Sequence, residues 1–248
     1  MEEVPQLKVE PGVHVQPEAS KPDSRLLWIE ISVVLLLIVL PNLFNSFAWS
    51  PPKGPAASFA FQAASRLLHS FGEIALILFI IWRSGEPWRS FGICGLKMAP
   101  DFWGGIVVFL LGKVAHRVLW SILYGVLSVS MIAWVTKRDP SAFSLPSGLL
   151  EYGLLVVMCL ANGLAEELVM RAYLLRRLSQ LTHSMAAACL ISTTLFAAYH
   201  GYQGPTGVIG AFMLGLIYSG TFLAFRRLAP VALAHGLQDI IAWVSLVK

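Results

Sequence analysis

The chain alternates between long apolar runs and short polar or proline-containing stretches. An apolar run of about 20 residues is long enough to cross the hydrocarbon core of a bilayer as a helix. Seven apolar runs are predicted as helices, because Pro, Gly and charged residues separate them. Their approximate bounds are Leu26–Trp49, Ala57–Trp82, Phe102–Met131, Leu149–Ser179, Ser184–His200, Thr206–Phe225 and Leu228–Val247. The pattern predicts an all-α fold, a polytopic transmembrane helical bundle of about seven spans.

The same pattern divides the chain into three parts. Residues 1–25 are predicted to be a flexible polar tail, and no apolar segment of a cleaved signal peptide precedes Leu26. Residues 26–148 form N-terminal membrane spans, and residues 149–248 form membrane helices that carry the candidate chemistry. The predicted connections are a turn at 50–55, a basic loop at 83–101 and a loop at 132–148.

Composition supports a membrane protein and excludes other classes. The chain is 56% hydrophobic and 13% charged, which is typical of a polytopic membrane protein. The net charge of +4 is assigned to lysine and arginine of cytoplasmic loops, so membrane lipid is expected as a partner and nucleic acid is not. The three cysteines are widely spaced and form no CxxC motif, so neither a disulfide framework nor a zinc knuckle is indicated.

The distribution of lysine and arginine predicts an orientation. With seven spans and the N-terminus inside, most of the basic residues near the membrane fall on the cytoplasmic side. The inside residues are Lys8, Lys21, Arg25, Arg83, Arg89, Lys97, Arg176, Arg177, Arg226 and Arg227, and the outside residues are Lys53, Lys137, Arg138 and Lys248. A cytoplasmic N-terminus and an external C-terminus are therefore predicted.

Two adjacent glutamates and an arginine lie within the fourth apolar run. A charged side chain at membrane depth costs at least a few kcal/mol, so these residues are candidates for a functional site. Residues four apart share a helix face, so Glu167 is predicted to pair with Arg171. Glu166 points over Met170 and Asn162, which leaves its lone pairs free for chemistry. The alternative is a structural ion pair that ties two helices together.

Further polar residues follow in the later runs. His200 ends the fifth run, and His235 and Asp239 lie four apart in the seventh. If the fourth and fifth helices form a hairpin that turns near Leu181, Glu166 lies roughly 22 Å and His200 roughly 28 Å from the turn. Glu166 and His200 are therefore predicted to meet at similar depth, and on this topology the site lies toward the external half of the bilayer.

Two other patterns are interpreted as packing features. The second run carries Arg66, His69 and Glu73; His69 and Glu73 can pair, and a buried polar patch is favoured over a catalytic role. In the sixth run, small residues repeat every four positions, which favours close approach of another helix. These residues are Ala211, Gly215 and Ser219.

Three motifs of the last hundred residues resemble those of a known family. The motifs are Glu166-Glu167-x-x-x-Arg171, Phe196-x-x-x-His200 and His235-x-x-x-Asp239. In this order they resemble the CAAX protease and bacteriocin-processing family, which includes the eukaryotic CAAX prenyl endopeptidase and many bacterial Abi-type proteins. The resemblance covers about residues 150–245.

The resemblance implies an intramembrane endopeptidase of a bacterial inner (plasma) membrane, with a helical core around a polar intramembrane cavity. Its expected partner is a peptide or protein substrate with a membrane-proximal cleavage site. Glu166 and His200 would then activate a water that attacks a peptide carbonyl, and Glu167 with Arg171 would hold the site in place.

The resemblance also implies roles for the two residues of the last motif. His235 with Asp239 lies where the family places its oxyanion-stabilising pair. Where family members carry asparagine at the last position, the side chain can donate a hydrogen bond, whereas an ionised Asp239 only accepts one. Asp239 would therefore orient His235 or ligate a metal.

Cofactor use and function have alternatives. No cofactor is favoured, but two histidines with carboxylates also suit a divalent metal such as zinc, held by Glu166, His200, His235 and Asp239. The sequence lacks HExxH, and these residues come from three helices. A non-catalytic peptide-binding, immunity or chaperone-like membrane protein of the same fold is the second interpretation. A transporter is weaker, since no internal repeat is visible.

Overall fold

Seven helices make up the part of the chain that the computed structural model describes, residues 24–48, 57–127 and 144–245. Helices α1 and α4 each contain a π-helical segment, in which the backbone is locally wider than an α-helix. Helix α1 joins Ser24–Val34, the π-helical Leu35–Val39 and Leu40–Ala48; α2 is Phe59–Ser84; α3 is Met98–Val126; α4 joins Leu149–Glu167, the π-helical Leu168–Leu174 and Leu175–Thr182; α5 is Met185–Ala198; α6 is Gly204–Phe225; and α7 is Leu228–Val244.

The helices agree with the predicted runs, and the all-α polytopic bundle is confirmed. Five of them, α1, α2, α3, α4 and α6, are long and apolar enough to cross a membrane. The 14 residues of α5 and the 17 of α7 are shorter than the roughly 20 residues that a perpendicular crossing requires. The protein is therefore an integral membrane protein, whereas the side on which its N-terminus lies stays a prediction.

Some predicted connections differ from the structure or lie outside it. The basic loop is shorter than predicted, because α2 continues to Ser84 and α3 begins at Met98. Within this loop, Trp88–Phe91 forms a turn of 3₁₀-helix. The turn at 50–55, most of the tail at 1–25 and most of the loop at 132–148 lie outside the described residues.

Helix α3 shows which surface faces lipid. Large apolar side chains are exposed along its length, among them Trp103, Leu110 and Ile122. Such side chains stay exposed at little cost in hydrocarbon, where only the backbone polar groups must be satisfied internally. Helix α3 therefore lies at the periphery of the bundle and packs mainly against α7.

Helix α4 occupies the centre of the bundle. It packs against α2, α5 and α7, and every residue from Ala165 to Leu175 is buried. The approach of α7 is close, because a Cβ on Gly163 would lie 2.6 Å from the backbone nitrogen of Gly236. The charged part of α4 is thus the part most enclosed by protein.

The predicted hairpin of α4 and α5 is confirmed. His183 adopts a left-handed conformation directly after α4, and the Ser184 side chain accepts a hydrogen bond from the Ala187 amide to begin α5. The small-residue stripe of α6 packs against α5 as predicted, since a Cβ on Gly215 would lie 2.9 Å from the Thr193 methyl group. The hairpin brings the end of α5 back to the depth of the charged part of α4.

Salt bridges join the ends of the helices at one side of the bundle. Glu86, in the loop after α2, pairs with Arg176 and Arg177 of α4. Arg177 also pairs with Glu30 of α1, with 3.1 Å between Nη2 and Oε2. Partial burial opposes ionisation of Glu86, but the hydrogen bonds from the two guanidinium groups outweigh it and hold the pKa of Glu86 below its usual value. This cluster ties α1 and the loop after α2 to the centre of the fold.

Candidate active site

The site begins where α4 changes from α-helix to π-helix. Glu166 and Glu167 end the first α-helical segment, and Arg171 lies in the π-helical segment Leu168–Leu174. Short π-helical insertions occur frequently at functional sites, because they re-aim side chains without ending the helix. Here the two glutamates face different neighbours, as the sequence predicted.

Glu167 is completely buried and forms the fixed centre of the site. Its Oε1 lies 2.8 Å from Arg171 Nη1 and 2.8 Å from His235 Nδ1. The predicted pairing of Glu167 with Arg171 is confirmed. Because a carboxylate only accepts hydrogen bonds, His235 donates through Nδ1–H, which leaves Nε2 pointing away from Glu167.

Arg171 is held on several sides. Its guanidinium stacks 4.4 Å from the centre of the Phe196 ring, and its Nη2 lies 3.4 Å from the Gly215 carbonyl oxygen. The side chain has no exposed surface. A buried ion pair of this kind is costly to disrupt on one side, because the remaining charge is left uncompensated. The pair therefore fixes α4 against α5 and α6.

Glu166 is more engaged than the sequence predicted. Asn162 donates to its Oε1 at 3.0 Å, and the Tyr199 hydroxyl donates to its Oε2 at 3.0 Å. The expectation that its lone pairs are free is wrong, because residues of its own helix and of α5 supply donors. A carboxylate has about four lone-pair positions, so Glu166 retains the capacity to accept a further proton donor such as water.

His235 and Asp239 complete the cluster from α7. His235 Nε2 lies 3.6 Å from Glu166 Oε2 and 3.7 Å from Asp239 Oδ1. Asn162 donates to Asp239 Oδ2 at 2.9 Å as well as to Glu166. The side-chain amide of Asn162 thus bridges Glu166 of α4 and Asp239 of α7.

His200 lies beside this cluster, one residue beyond Tyr199. Its Nδ1 lies 2.7 Å from the Phe196 carbonyl oxygen, and its ring stacks on the Tyr199 ring at 4.9 Å. Because a carbonyl oxygen only accepts, Nδ1 carries the proton, and Nε2 of the neutral ring has a free lone pair. In this arrangement the tyrosine hydroxyl, and not the imidazole, makes the direct hydrogen bond to Glu166.

A small cavity adjoins Glu166 on the side of α1 and α2. Its volume of about 10 Å³ for water-sized spheres is room for about one water molecule. Most of its lining residues are polar: Asn42, Arg66, His69, Glu73, Asn162, Glu166 and Tyr199. The others are apolar: Ile38, Val169 and Met170. A polar intramembrane cavity next to Glu166 therefore exists, although His200, His235 and Asp239 do not line it.

The polar patch on α2 forms one wall of this cavity. His69 Nε2 lies 3.0 Å from Glu73 Oε1, so their predicted pairing is confirmed. Asn42 of α1 donates to the same oxygen at 3.0 Å. A wider opening lined by Leu37, Leu68 and other residues of α1 and α2 lies on the outer side of His69 and Glu73. The patch thus stands between the cavity and the surface of the bundle.

Sequence reasoning missed two members of the cluster. Tyr199 precedes His200 at the end of α5, and only the packing of α5 on α4 determines which of the two side chains faces Glu166. Asn162 was placed on the face of Glu166 but was given no role, although its position four residues before a glutamate was a usable signal.

The fit of a metal ion can be judged from the donor set. In residues 24–48, 57–127 and 144–245, no group of three or more His, Cys, Asp or Glu side chains is arranged to hold a metal ion. Of the set considered from the sequence, His235 uses Nδ1 on Glu167, and His200 uses Nδ1 on the Phe196 carbonyl. Each of these two rings therefore keeps Nε2 as the nitrogen that could ligate a metal ion.

Comparison with known proteins supports the resemblance in the sequence. Residues 148–241 match the family model described as type II CAAX prenyl endopeptidase Rce1-like. No curated protein and no solved structure matched the chain. The matched range contains all three motifs, so the resemblance to the CAAX protease family is confirmed over this range.

Proposed function

We propose that the protein hydrolyses a peptide bond of a membrane-associated or C-terminally anchored substrate with a water activated by Glu166, because residues 148–241 match the model of the type II CAAX prenyl endopeptidase family. One observation carries this proposal: the buried Glu166 carboxylate lines the polar cavity, and its Oε2 lies 3.6 Å from His235 Nε2. A carboxylate in such a place is suited to take a proton from water in a water-poor site.

The first step of the proposed reaction uses Glu166 and His200. Glu166 accepts a proton from the water as the water oxygen attacks the peptide carbonyl carbon. Asn162 and Tyr199 keep the carboxylate aimed during this transfer. His200, with its Nε2 lone pair, shares the proton and helps deliver it to the nitrogen of the leaving amine when the C–N bond breaks.

His235 supplies stabilisation of the carbonyl oxygen in this proposal. Its Nδ1–H is anchored on Glu167, so a protonated imidazole presents Nε2–H to the oxyanion that forms beside Glu166. Asp239 accepts hydrogen bonds and therefore orients His235 and Asn162 instead of donating to the oxyanion.

We propose that the reaction needs no metal ion, since no three His, Cys, Asp or Glu side chains of the described residues are grouped to hold one. A strong chelator tests this directly. Cleavage that survives prolonged chelation of the purified protein supports glutamate chemistry. Cleavage that is lost on chelation and restored by zinc would instead assign Glu166, His200, His235 and Asp239 as metal ligands.

Glu166→Gln separates a peptidase from a peptide-binding protein. The change keeps the shape of the side chain but removes its basicity. We expect the variant to bind membrane-tethered peptides and leave them intact, while wild type cleaves them. Glu151→Gln is the matched control, because Glu151 lies in the first turn of the same helix and accepts hydrogen bonds from Ser147, outside the site. Equal cleavage by wild type and Glu166→Gln would exclude the mechanism, and binding without cleavage by wild type would favour a non-catalytic protein.

The location in a bacterial inner membrane with a cytoplasmic N-terminus is also proposed. It rests on the excess of lysine and arginine in the segments assigned to the inside. Reporter proteins fused to each end test it: activity of a cytoplasmic reporter at the N-terminus and of an external reporter at the C-terminus is expected. The reverse pattern would contradict the orientation.

A further inference from the structure

The loop between α2 and α3 lies beside the connection from α6 to α7 at one end of the bundle. The Leu228 amide donates to the Gly92 carbonyl oxygen at 2.9 Å, and Arg227 Nη2 donates to the Gly95 carbonyl oxygen at 2.9 Å. A Cβ on Gly92 would lie 3.4 Å from the Arg226 carbonyl oxygen. Residues 85–97 and 226–227 therefore form one surface, which we call the loop surface.

The acidic side chains that the structure describes at this end of the bundle are all paired with arginines. The pairs are Glu30 with Arg177, Glu86 with Arg176 and Arg177, and Asp101 with Arg227. Each of these three carboxylates thus already has at least one cation in direct contact. None of them is left to neutralise a further basic side chain of the loop surface.

Three basic side chains of the loop surface remain beside these pairs: Arg89, Lys97 and Arg226. All three are exposed, and their side chains take part in no hydrogen bond or ion pair with the described residues. The turn formed by Arg89 and Gly92 brings two of them together, because the Gly92 amide donates to the Arg89 carbonyl oxygen while Arg226 lies on the other side of Gly92. The loop surface therefore carries positive charge that the described part of the chain does not neutralise.

Large apolar side chains border these cations and are exposed as well. They are Trp82, Trp88, Leu96, Met98 and Phe225. Tryptophan concentrates where the hydrocarbon of a bilayer meets the headgroups, and long basic side chains near helix ends reach toward the same level. A surface with both features is suited to the depth of the lipid phosphates.

We propose that the loop surface binds the headgroup of an anionic phospholipid through Arg89, Lys97 and Arg226. Clusters of basic residues next to membrane helices attract anionic lipids. The exposed apolar border favours a phosphate that is carried on acyl chains, because a soluble anion would leave these side chains without a role. An orientation signal requires only that basic residues lie on one side of the membrane, whereas this surface requires three adjacent and unpaired cations.

The surface is independent of the proposed peptidase function. It contains no residue of the candidate active site, and its attachment to α4 runs through the salt bridges of Arg176 and Arg177. The Ser90 carbonyl oxygen of the same loop also accepts a hydrogen bond from Arg176 Nη1 at 3.3 Å. A bound headgroup would lie on the outer side of this attachment and reduce the mutual repulsion of the three cations.

The test measures binding of the first lipid to the purified full-length protein in a nonionic detergent, by native mass spectrometry. Dissociation constants are compared for phosphatidylglycerol and phosphatidylcholine with identical acyl chains. Arg89→Gln/Arg226→Gln removes two cations of the loop surface. The matched control is Lys113→Gln/Arg117→Gln, which removes the same charge from α3, roughly 22 Å or more along the helix from the loop. Since Arg89 and Arg226 are exposed, the fold should be retained, and thermal unfolding checks this.

Wild type and the control variant are expected to prefer phosphatidylglycerol by about tenfold or more. One basic residue near an anionic surface strengthens the attraction about fivefold, so Arg89→Gln/Arg226→Gln should lose most of this preference, and Arg89→Gln alone should lose part of it. Binding of phosphatidylcholine should be the same in all of them. Equal binding of the two lipids by wild type would overturn the inference, as would an equal loss of preference in the control variant, since net charge alone would then explain it.

Two competitors distinguish the lipid from other anions. Inorganic phosphate and an oligoglutamate peptide are added in turn at constant ionic strength, and neither is expected to displace phosphatidylglycerol from wild type. Displacement by phosphate would assign the surface to a soluble anion, and displacement by the peptide would assign it to an acidic protein partner; either result overturns the inference. No peptide cleavage enters these measurements, so they decide the role of the loop surface whether or not Glu166 is a catalytic base.

Discussion

Replacing Gly163 by alanine should separate α4 from α7 and disturb the site without removing a polar side chain. A Cβ at this position would lie 2.6 Å from the Gly236 nitrogen and 3.0 Å from the Ala232 carbonyl oxygen. Both atoms are backbone, so no side chain can turn away. Ordinary contact begins at 3.4 Å, so the helices must move apart by several tenths of an ångström.

The magnitude follows from two opposing effects. Overpacking at a well-packed contact costs about 1–3 kcal/mol. Alanine in a helix interior offsets up to about 1 kcal/mol of this by its better helix propensity. Gly153→Ala is the matched control in the same helix, because its Cβ meets nothing within 4 Å. We therefore expect Gly163→Ala to be destabilised and Gly153→Ala to be unchanged or slightly stabilised.

The same displacement should lower catalysis. His235 lies one residue before Gly236 and is aimed by Glu167 across this interface. A misplacement approaching 1 Å can reduce a rate about a hundredfold, so a loss of about tenfold or more is expected for Gly163→Ala. The assays are unfolding by sodium dodecyl sulfate in mixed micelles and peptide cleavage below the unfolding range. Wild-type stability and wild-type cleavage in Gly163→Ala would refute the reasoning from close helix contact.

Three further predictions concern polar contacts. Tyr199→Phe removes one hydrogen-bond donor to Glu166 and should lower kcat/KM about tenfold or more. The fold should be retained, as judged by unaltered unfolding, and unchanged kinetics would contradict this prediction. Arg171→Met leaves Glu167 buried without its cation and should lower the free energy of unfolding by about 3–5 kcal/mol; a loss below about 1 kcal/mol would contradict it. Glu86 has a lowered pKa, so its stabilising effect is present above pH 4.5 and is lost as the pH falls through its folded value. The stability difference between wild type and Glu86→Gln, measured by unfolding across pH, should shrink on acidification, and a difference independent of pH would contradict the linkage.

The helices could be predicted from the sequence because hydrophobicity alone determines which segments enter a membrane. The same pattern could not reveal that α5 is only 14 residues long. The prediction assigned His200 to this helix, because hydrophobicity does not mark the residue at which a helix ends. The π-helical segment Leu168–Leu174 was also invisible, because it changes the local width of a helix and not its composition.

The site could be predicted as a set of residues but not as a set of contacts. Pairs four apart in one helix, Glu167 with Arg171 and His69 with Glu73, followed from helix geometry. Contacts between helices did not, because they depend on how deeply and at what angle the helices pack. For this reason the hydrogen bond from Tyr199 to Glu166 emerges only from the structure.

The central claim is that Glu166 is the base of a membrane peptidase, and the most direct test is the single-turnover cleavage rate of Glu166→Gln beside Glu151→Gln. Both variants lose one carboxylate of α4, but only the first lies at the cavity. The account predicts that Glu166→Gln loses about a hundredfold or more of the rate, while Glu151→Gln keeps the wild-type rate. Equal rates in the two variants would contradict it.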